Sequence, residues 1–230
     1  MMIKTVFFDI DNTLYSYDQA NEKAMKKIYG YCFREFGWSL EECEERLGAS
    51  QREIGGLNHK KTAVIHNRLI RFQNMLEMAK KPVFPHSRSL YQLYWKELLT
   101  CMDPEPGAKE FLCFLKKSGI RIGIATDMTA YMQFRKLEIL GMAPYIDFMV
   151  TSEEAGAEKP ERAFYERCLD KTPDQPNQCL MIGDNLKKDV QGALNMGMEA
   201  LWYHKEETKD WEERRFSSFG DTKKLASVLK

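Results

Sequence analysis

Polar side chains capable of chemistry gather at the ends of short apolar runs in this sequence. Asp9 and Asp11 follow Val6-Phe7-Phe8, and Thr126 and Asp127 follow Ile120 to Ala125. Asp184 follows Leu180-Met181-Ile182-Gly183, with Asp189 five residues further on, and Lys159 precedes Pro160. Several carboxylates brought into one crevice would repel one another and raise each other's pKa values unless a cation sat among them. With no His or Cys in the group, the donors are all oxygen, which suits a hard divalent metal, Mg2+ being the commonest choice. A metal held by few carboxylates keeps positions open for a phosphate-bearing substrate. Lys159 adds a positive charge and Thr126 a hydroxyl donor, both fitted to the equatorial oxygens of a transferring phosphoryl group.

These residues are far apart in sequence, so the fold has to bring them together. The apolar runs Val6–Phe8, Ile120–Ala125, Phe148–Val150 and Leu180–Gly183 read as strands buried on both faces. Helical patterns alternate with them: Lys109 to Lys117 before Gly119, Tyr131 to Leu140 before Gly141, and Lys188 to Met196 before Gly197. A further helix is expected from Pro160 to Cys168. Alternation of this kind predicts an α/β, Rossmann-like parallel sheet sandwiched by helices. In such a sheet, ligands bind beyond the carboxyl ends of the strands, which is where the polar groups fall.

Residues 17–100 interrupt the alternation with helix after helix. Gln19 to Phe36 carries Ala20, Ala24, Met25, Ile28, Cys32 and Phe36 near a helical period, with Gly37 as its stop. Ser39 and Glu42 form a possible capping box for the next helix. Asn58 to Met78 predicts one helix with Ile65, Leu69, Phe72 and Leu76 in step, and His86 to Leu99 another, whose aromatics Tyr91, Tyr94 and Trp95 are expected to form local core. The segment therefore reads as a small all-helical cap inserted after the first strand. The core domain is then 1–16 with 101–230, the return being marked by Pro104-Glu105-Pro106-Gly107.

Taken together, these motifs resemble the haloacid dehalogenase superfamily. Asp9-Ile10-Asp11-Asn12-Thr13 is similar to its first motif and Thr126 to its second. Lys159-Pro160 is similar to its third, and Gly183-Asp184 with Asp189 to its fourth. The insert between the first two motifs matches the branch with a small helical cap. In a looser way, Asn58-His59-Lys60-Lys61, Tyr94-Trp95 and Ser152-Glu153-Glu154-Ala155-Gly156 resemble the N-acylneuraminate 9-phosphatase-like members. The resemblance implies Asp9 as nucleophile and Asp11 as the acid that protonates the leaving oxygen and later activates water. It implies Mg2+ held by Asp9, Asp11 (through its carbonyl) and Asp184, with Asp189 in support. Phosphate would be held by Thr126, Asp127 and Lys159. Because a halide leaves without a proton, the acid at Asp11 argues for phosphoryl transfer over dehalogenation. Asp127 stands where relatives often carry Asn, and so is expected to need a partner, either a basic cap residue or substrate hydroxyls. His59, Lys60 and Arg68 are the candidates for reading the substrate.

Composition adds exclusions. Lys+Arg and Asp+Glu both number 34, so nothing points to nucleic acid or an anionic membrane as partner. The six cysteines form no C-x-x-C pair, which favours reduced core thiols and a cytoplasmic setting. The expected activity is hydrolysis of a small phosphorylated metabolite through an aspartyl-phosphate. A phosphomutase using the same intermediate and a non-catalytic phosphate sensor are the alternatives. The presence of an acid/base residue, Asp11, weighs against the sensor.

Overall fold

In the computed structural model, residues 2–57, 63–208 and 211–229 are described. The chain divides into two compact units, 1–16 with 103–230 and 17–102.

The first unit is built on a six-stranded sheet of order β3-β2-β1-β4-β5-β6. The strands are β1 (Thr5–Phe8), β2 (Arg121–Thr126), β3 (Phe148–Thr151), β4 (Cys179–Gly183), β5 (Glu199–Tyr203) and β6 (Arg215–Phe216), and every pairing is parallel. All four residues of β1 are buried. Successive side chains on a strand face opposite ways, and β1 shows both faces covered. Phe7 meets Phe148 edge-on within a cluster that includes Tyr165 and Met181. Phe8 turns the other way onto Phe111 and Phe219. The chain runs outward from β1 through β2 to β3, then returns to β1's other side as β4. The crevice at the ends of β1 and β4 is thus the switch point where an open parallel sheet binds ligands.

The second unit holds α1 (Tyr17–Phe36), α2 (Leu40–Leu57), α3 (Arg68–Met78) and α4 (His86–Thr100). Helix α1 buries Ala20, Ala24, Ile28 and Cys32, one residue per turn, and packs on α4. The Ser39–Glu42 capping box forms in both directions: the Glu42 N–H donates to Ser39 Oγ at 3.2 Å, and the Ser39 N–H to Glu42 Oε2 at 2.9 Å. Of the single helix expected over Asn58–Met78, residues 58–62 lie outside the described residues, and the described remainder is not one helix. A short 3₁₀ turn spans Ala63–His66, and α3 starts only at Arg68, because the Asn67 side chain caps it by accepting from Leu69 N and Ile70 N. The buried stripe is consequently Phe72, Met75 and Leu76, while Leu69 is exposed.

The remaining helices belong to the first unit: α5 (Ala108–Lys117), α6 (Ala130–Ile139), α7 (Ser152–Ala155), α8 (Arg162–Asp170), α9 (Gly192–Leu194) and α10 (Thr222–Val228). The helix expected over Lys188–Met196 is replaced by a π-helical turn, Leu186–Gln191, followed by the single turn α9. Hydrogen bonds around Asp189 account for this widened turn. Asn185 accepts from Lys187 N and Lys188 N, and Tyr165 donates its hydroxyl to the carbonyls of Lys188 and Asp189 at 2.6 and 3.1 Å. π-turns of this kind often mark functional positions. No helix among the described residues is long and apolar enough to cross a membrane.

Candidate active site

Asp9 sits one residue past β1, its N–H bonded to the Ile182 carbonyl of β4 at 2.9 Å. Asn12 takes a left-handed conformation (φ 58°) that Asn tolerates better than most residues, and this lets the chain turn sharply after the motif. Carboxylate oxygens of Asp9, Asp184 and Asp189 all lie within 4.8 Å of one another. Lys159 reaches into this group from the loop before α8, 2.9 Å from Asp9 Oδ1 and 2.7 Å from Asp189 Oδ1. It also donates to the Ala125 carbonyl at 3.0 Å. The other oxygen of Asp189 accepts from the Asn185 N–H at 2.9 Å. Both oxygens of Asp189 thus have protein partners, and Asp9 meets Lys159 through Oδ1.

The charges follow from this crowding. Burial pushes Asp9 up to about 8; Lys159 opposes the rise, while Asp189, Asp184 and Asp11 add to it. Burial also raises Asp184 to about 7, with the negative charge of Asp189 as the next cause. Burial pulls Lys159 down, but Asp189, Asp9 and Asp127 outweigh it and hold the ammonium well above the usual lysine range. One cation among three close carboxylates leaves an excess of negative charge, and the donors are all oxygen. A divalent hard metal fits this set.

Asp11 has a different environment. Both its oxygens accept from Lys136 Nζ, at 2.6 and 2.8 Å, and Oδ1 also accepts from the Tyr15 hydroxyl at 2.5 Å. Burial pushes its pKa up, but the charge and hydrogen bond of Lys136, with bonds from Tyr15 and Gln133, hold it below the usual carboxylate value. Lys136 and Gln133 were not among the expected site residues. A signal for them was present, since Met132, Gln133, Lys136, Leu137 and Leu140 all lie on the buried stripe of the α6 region. A lysine on such a stripe needs a buried partner.

Thr126 ends β2 and is buried; its Oγ1 accepts from Gln133 Nε2 at 2.6 Å, so its own proton remains to be donated. Asp127 was expected to hold phosphate and to be neutralised by the cap or the substrate. Its carboxylate is instead engaged within its own unit, Oδ1 by the Lys159 N–H at 3.0 Å and Oδ2 by Lys188 Nζ at 2.6 Å. It braces the loop that carries Lys159. Arg68 belongs to the helical unit, where it donates to the Tyr17 hydroxyl at 2.7 Å. His59 and Lys60 lie outside the described residues.

Gly183, the last residue of β4, has no room for a side chain: a Cβ there would overlap the Asp189 carboxylate. Gly183→Ala is expected to displace Asp189 and with it Lys159. The cost should be about 1–3 kcal/mol of stability together with most of the activity. A melting curve and a turnover assay check this, and near-wild-type turnover would mean that the Asp189–Lys159 pair is dispensable.

The comparisons with known proteins agree with this geometry. Residues 3–197 match the sequence model of the haloacid dehalogenase-like hydrolases. A ribulose-1,5-bisphosphate 5-phosphatase of Halopiger xanaduensis is 34% identical, covering 91% of this chain and 88% of its own length. The N-acylneuraminate-9-phosphatase of Rattus norvegicus is 27% identical over 88% of this chain and 83% of its own. The crystal structure of the HAD-hydrolase YfnB from Bacillus subtilis, bound to magnesium, superposes with a TM-score of 0.75 at 18% identity, covering 100% of this chain and 99% of that one; at that identity the likeness concerns the fold. On the family match and the Halopiger relative, this chain belongs to the haloacid dehalogenase-like hydrolases, and within them it is a phosphatase, a phosphoric monoester hydrolase.

Proposed function

We propose that the chain hydrolyses a small phosphomonoester metabolite through an aspartyl-phosphate on Asp9, with Mg2+ as its metal. The observation that carries this reading is the placement of carboxylate oxygens of Asp9, Asp184 and Asp189 within 4.8 Å of one another, with the Lys159 ammonium bridging Asp9 and Asp189. The two relatives named above act on metabolites of different size, so the reading keeps to the class, a small phosphorylated metabolite.

A carboxylate oxygen of Asp9 attacks phosphorus, the bond to the leaving oxygen breaks, and that oxygen takes a proton from Asp11. Water then attacks the phosphoaspartyl group, giving up a proton to Asp11, and inorganic phosphate leaves with Asp9 restored. Lys136 and Tyr15 hold Asp11 ionised in the free protein, the form that accepts a proton from water. For the donating half, the negative charge of a bound phosphoryl group raises Asp11 toward its protonated form. Lys159 and Thr126 neutralise and orient the equatorial oxygens. Asp9 and Asp184, with the Asp11 carbonyl, would hold Mg2+, which would supply charge neutralisation to the phosphoryl group. Asp189 keeps Lys159 and the Asn185 turn in place and is a positioning residue in this scheme. Of the helical unit, 17–102, we propose a substrate-selecting cap.

The test is metal removal. Protein dialysed against a chelator should lose turnover of an aryl phosphate and regain it when Mg2+ is added; full activity without metal would rule out the metal's part. A second readout is stability. Asp9 and Asp184 have folded pKa values raised from 3.8 to about 8 and about 7, so the folded chain holds protons that the unfolded chain has released. Their ionisation therefore costs stability progressively as pH rises from the ordinary carboxylate range to about 8. Asp11 is shifted the other way, and its contribution is lost only as pH falls through its depressed folded value. The metal-free protein should melt about 5 °C or more lower near pH 8 than near pH 6. Mg2+, which needs both carboxylates ionised, should shrink or reverse that fall. A melting temperature independent of pH and of Mg2+ over this range would contradict the assignment.

A further inference from the structure

Thr126 closes β2 and Gln133 lies in the first turn of α6; both are buried. Gln133 Nε2 donates to Thr126 Oγ1 at 2.6 Å. The start of α6 is held in turn from the end of β3, which pairs with β2 so that Thr151 stands beside Thr126. Ser152 Oγ accepts from the Met128 N–H at 2.9 Å, and Glu153 Oε2 from the Ala130 N–H at 2.8 Å. One turn beyond Gln133, Lys136 holds Asp11. A single buried stripe of α6 thus carries an amide to the hydroxyl and an ammonium to the acid.

The orientation of the amide decides what the hydroxyl can do. Gln133 also donates to Asp11. An ionised carboxylate only accepts, so the end of the amide turned toward Asp11 and Thr126 is its nitrogen. The amide oxygen is left buried without a partner among the described residues. Buried side-chain amides usually use both ends, so this orientation is held at a cost. A threonine hydroxyl has one proton and two lone pairs. Gln133 occupies a lone pair, and no acceptor among the described residues takes the proton. With the amide reversed, the hydroxyl would give its proton to Gln133 Oε1 and have none for a ligand. A bond accepted from the amide also makes the hydroxyl a stronger donor.

We infer that Gln133 is a positioning residue of the phosphate grip: by donating to Thr126 Oγ1 it leaves the Thr126 proton aimed at an oxygen of the phosphoryl group. The inference deepens the hydrolytic reading and rests on the assignment of Thr126 to the phosphate. Gln133 is assigned no contact with the reacting atoms and acts through Thr126. A donor whose direction is fixed before the phosphoryl group arrives needs no reorganisation when charge builds on that group.

A double-mutant cycle in the full-length protein tests this, with Gln133→Met, Thr126→Val and the two combined. The readouts are KM and kcat for an aryl phosphate and the inhibition constant of inorganic phosphate. Methionine fills the space of the glutamine without its donors. Thr126→Val should weaken phosphate inhibition by about tenfold or more, the scale of a lost hydrogen bond to a charged group. Gln133→Met should weaken it by about threefold or more with Thr126 in place, and by less than about twofold once Thr126→Val is also present. Thr126→Ser, which keeps the hydroxyl, should retain both phosphate inhibition and its dependence on Gln133. Because the amide oxygen is already unmet, Gln133→Met should leave the melting temperature unchanged or raise it. Gln133→Leu is carried through the same cycle, so that the result does not hang on the folding of one variant. A purely structural glutamine would weaken inhibition equally in both backgrounds; that outcome overturns the inference and leaves Thr126 assigned to the phosphate. Unchanged phosphate inhibition in Thr126→Val overturns both the inference and that assignment.

Discussion

Asp9→Asn is expected to lower kcat by a factor on the order of 10⁵ or more, the scale seen when a covalent nucleophile is removed, while the protein stays folded. An amide of nearly the same shape can still accept from Lys159 but cannot form the acyl phosphate. The folded state should not suffer, because burial already pushes Asp9 up to about 8 and its ionised form is held at a cost near neutral pH. Lys159 keeps Asp189 as a partner at 2.7 Å. The melting temperature of Asp9→Asn should therefore match or exceed that of the parent. Acid quenching during turnover of a radiolabelled phosphate ester should leave label on the peptide containing Asp9 in the parent protein, removable by hydroxylamine, and none in the variant. Turnover within about tenfold of the parent would place the nucleophile elsewhere.

Lys136→Met should produce the second largest loss, a fall in kcat of about 10²–10³, although Lys136 is assigned no contact with the reacting group. Its side chain is fully buried, whereas that of Asp11 is 24% exposed. Methionine fills much of the same space and removes the charge. Asp11 retains Tyr15, and water can reach it, so the stability cost should be about 3 kcal/mol at most. Burial would then act on Asp11 without the opposing cation, and its pKa should rise. With an aryl phosphate whose leaving group needs no proton, Asp11 is needed only as a base. The acidic limb of the kcat profile should then move to higher pH. An ordinary packing residue would lower activity or stability without moving that limb. An unmoved limb with turnover within about threefold of the parent would show that Asp11 does not depend on Lys136.

The acids at strand ends, Lys159-Pro160 and the alternation of strand and helix were all legible in the sequence. The reason is that a buried parallel strand must be a short apolar run, and a ligand crevice must lie where such runs stop. The Ser39–Glu42 cap was equally plain, being a local bond between near neighbours. The turn after β4 was misread for the opposite reason. Its apolar spacing is that of an ordinary helix, and only the bonds of Asp189, Asn185 and a tyrosine from α8 widen it into a π-turn. The start of α3 was misplaced because the Asn67 cap outweighed the apolar period on its N-terminal side.

The sequence by itself determined the kind of chemistry: an oxygen-only carboxylate set, one lysine, one hydroxyl and an acid two residues from the leading aspartate. Tertiary structure alone decided how those charges are partnered. Asp9 and Asp11 stand two residues apart in the same motif, yet one is driven up by burial and neighbouring carboxylates while the other is held down by Lys136, 125 residues away. Asp127 became a brace because Lys188 lies 61 residues away in sequence yet within 2.6 Å in space. Charge interactions act through distance in space and through local desolvation, and neither quantity exists until the chain has folded.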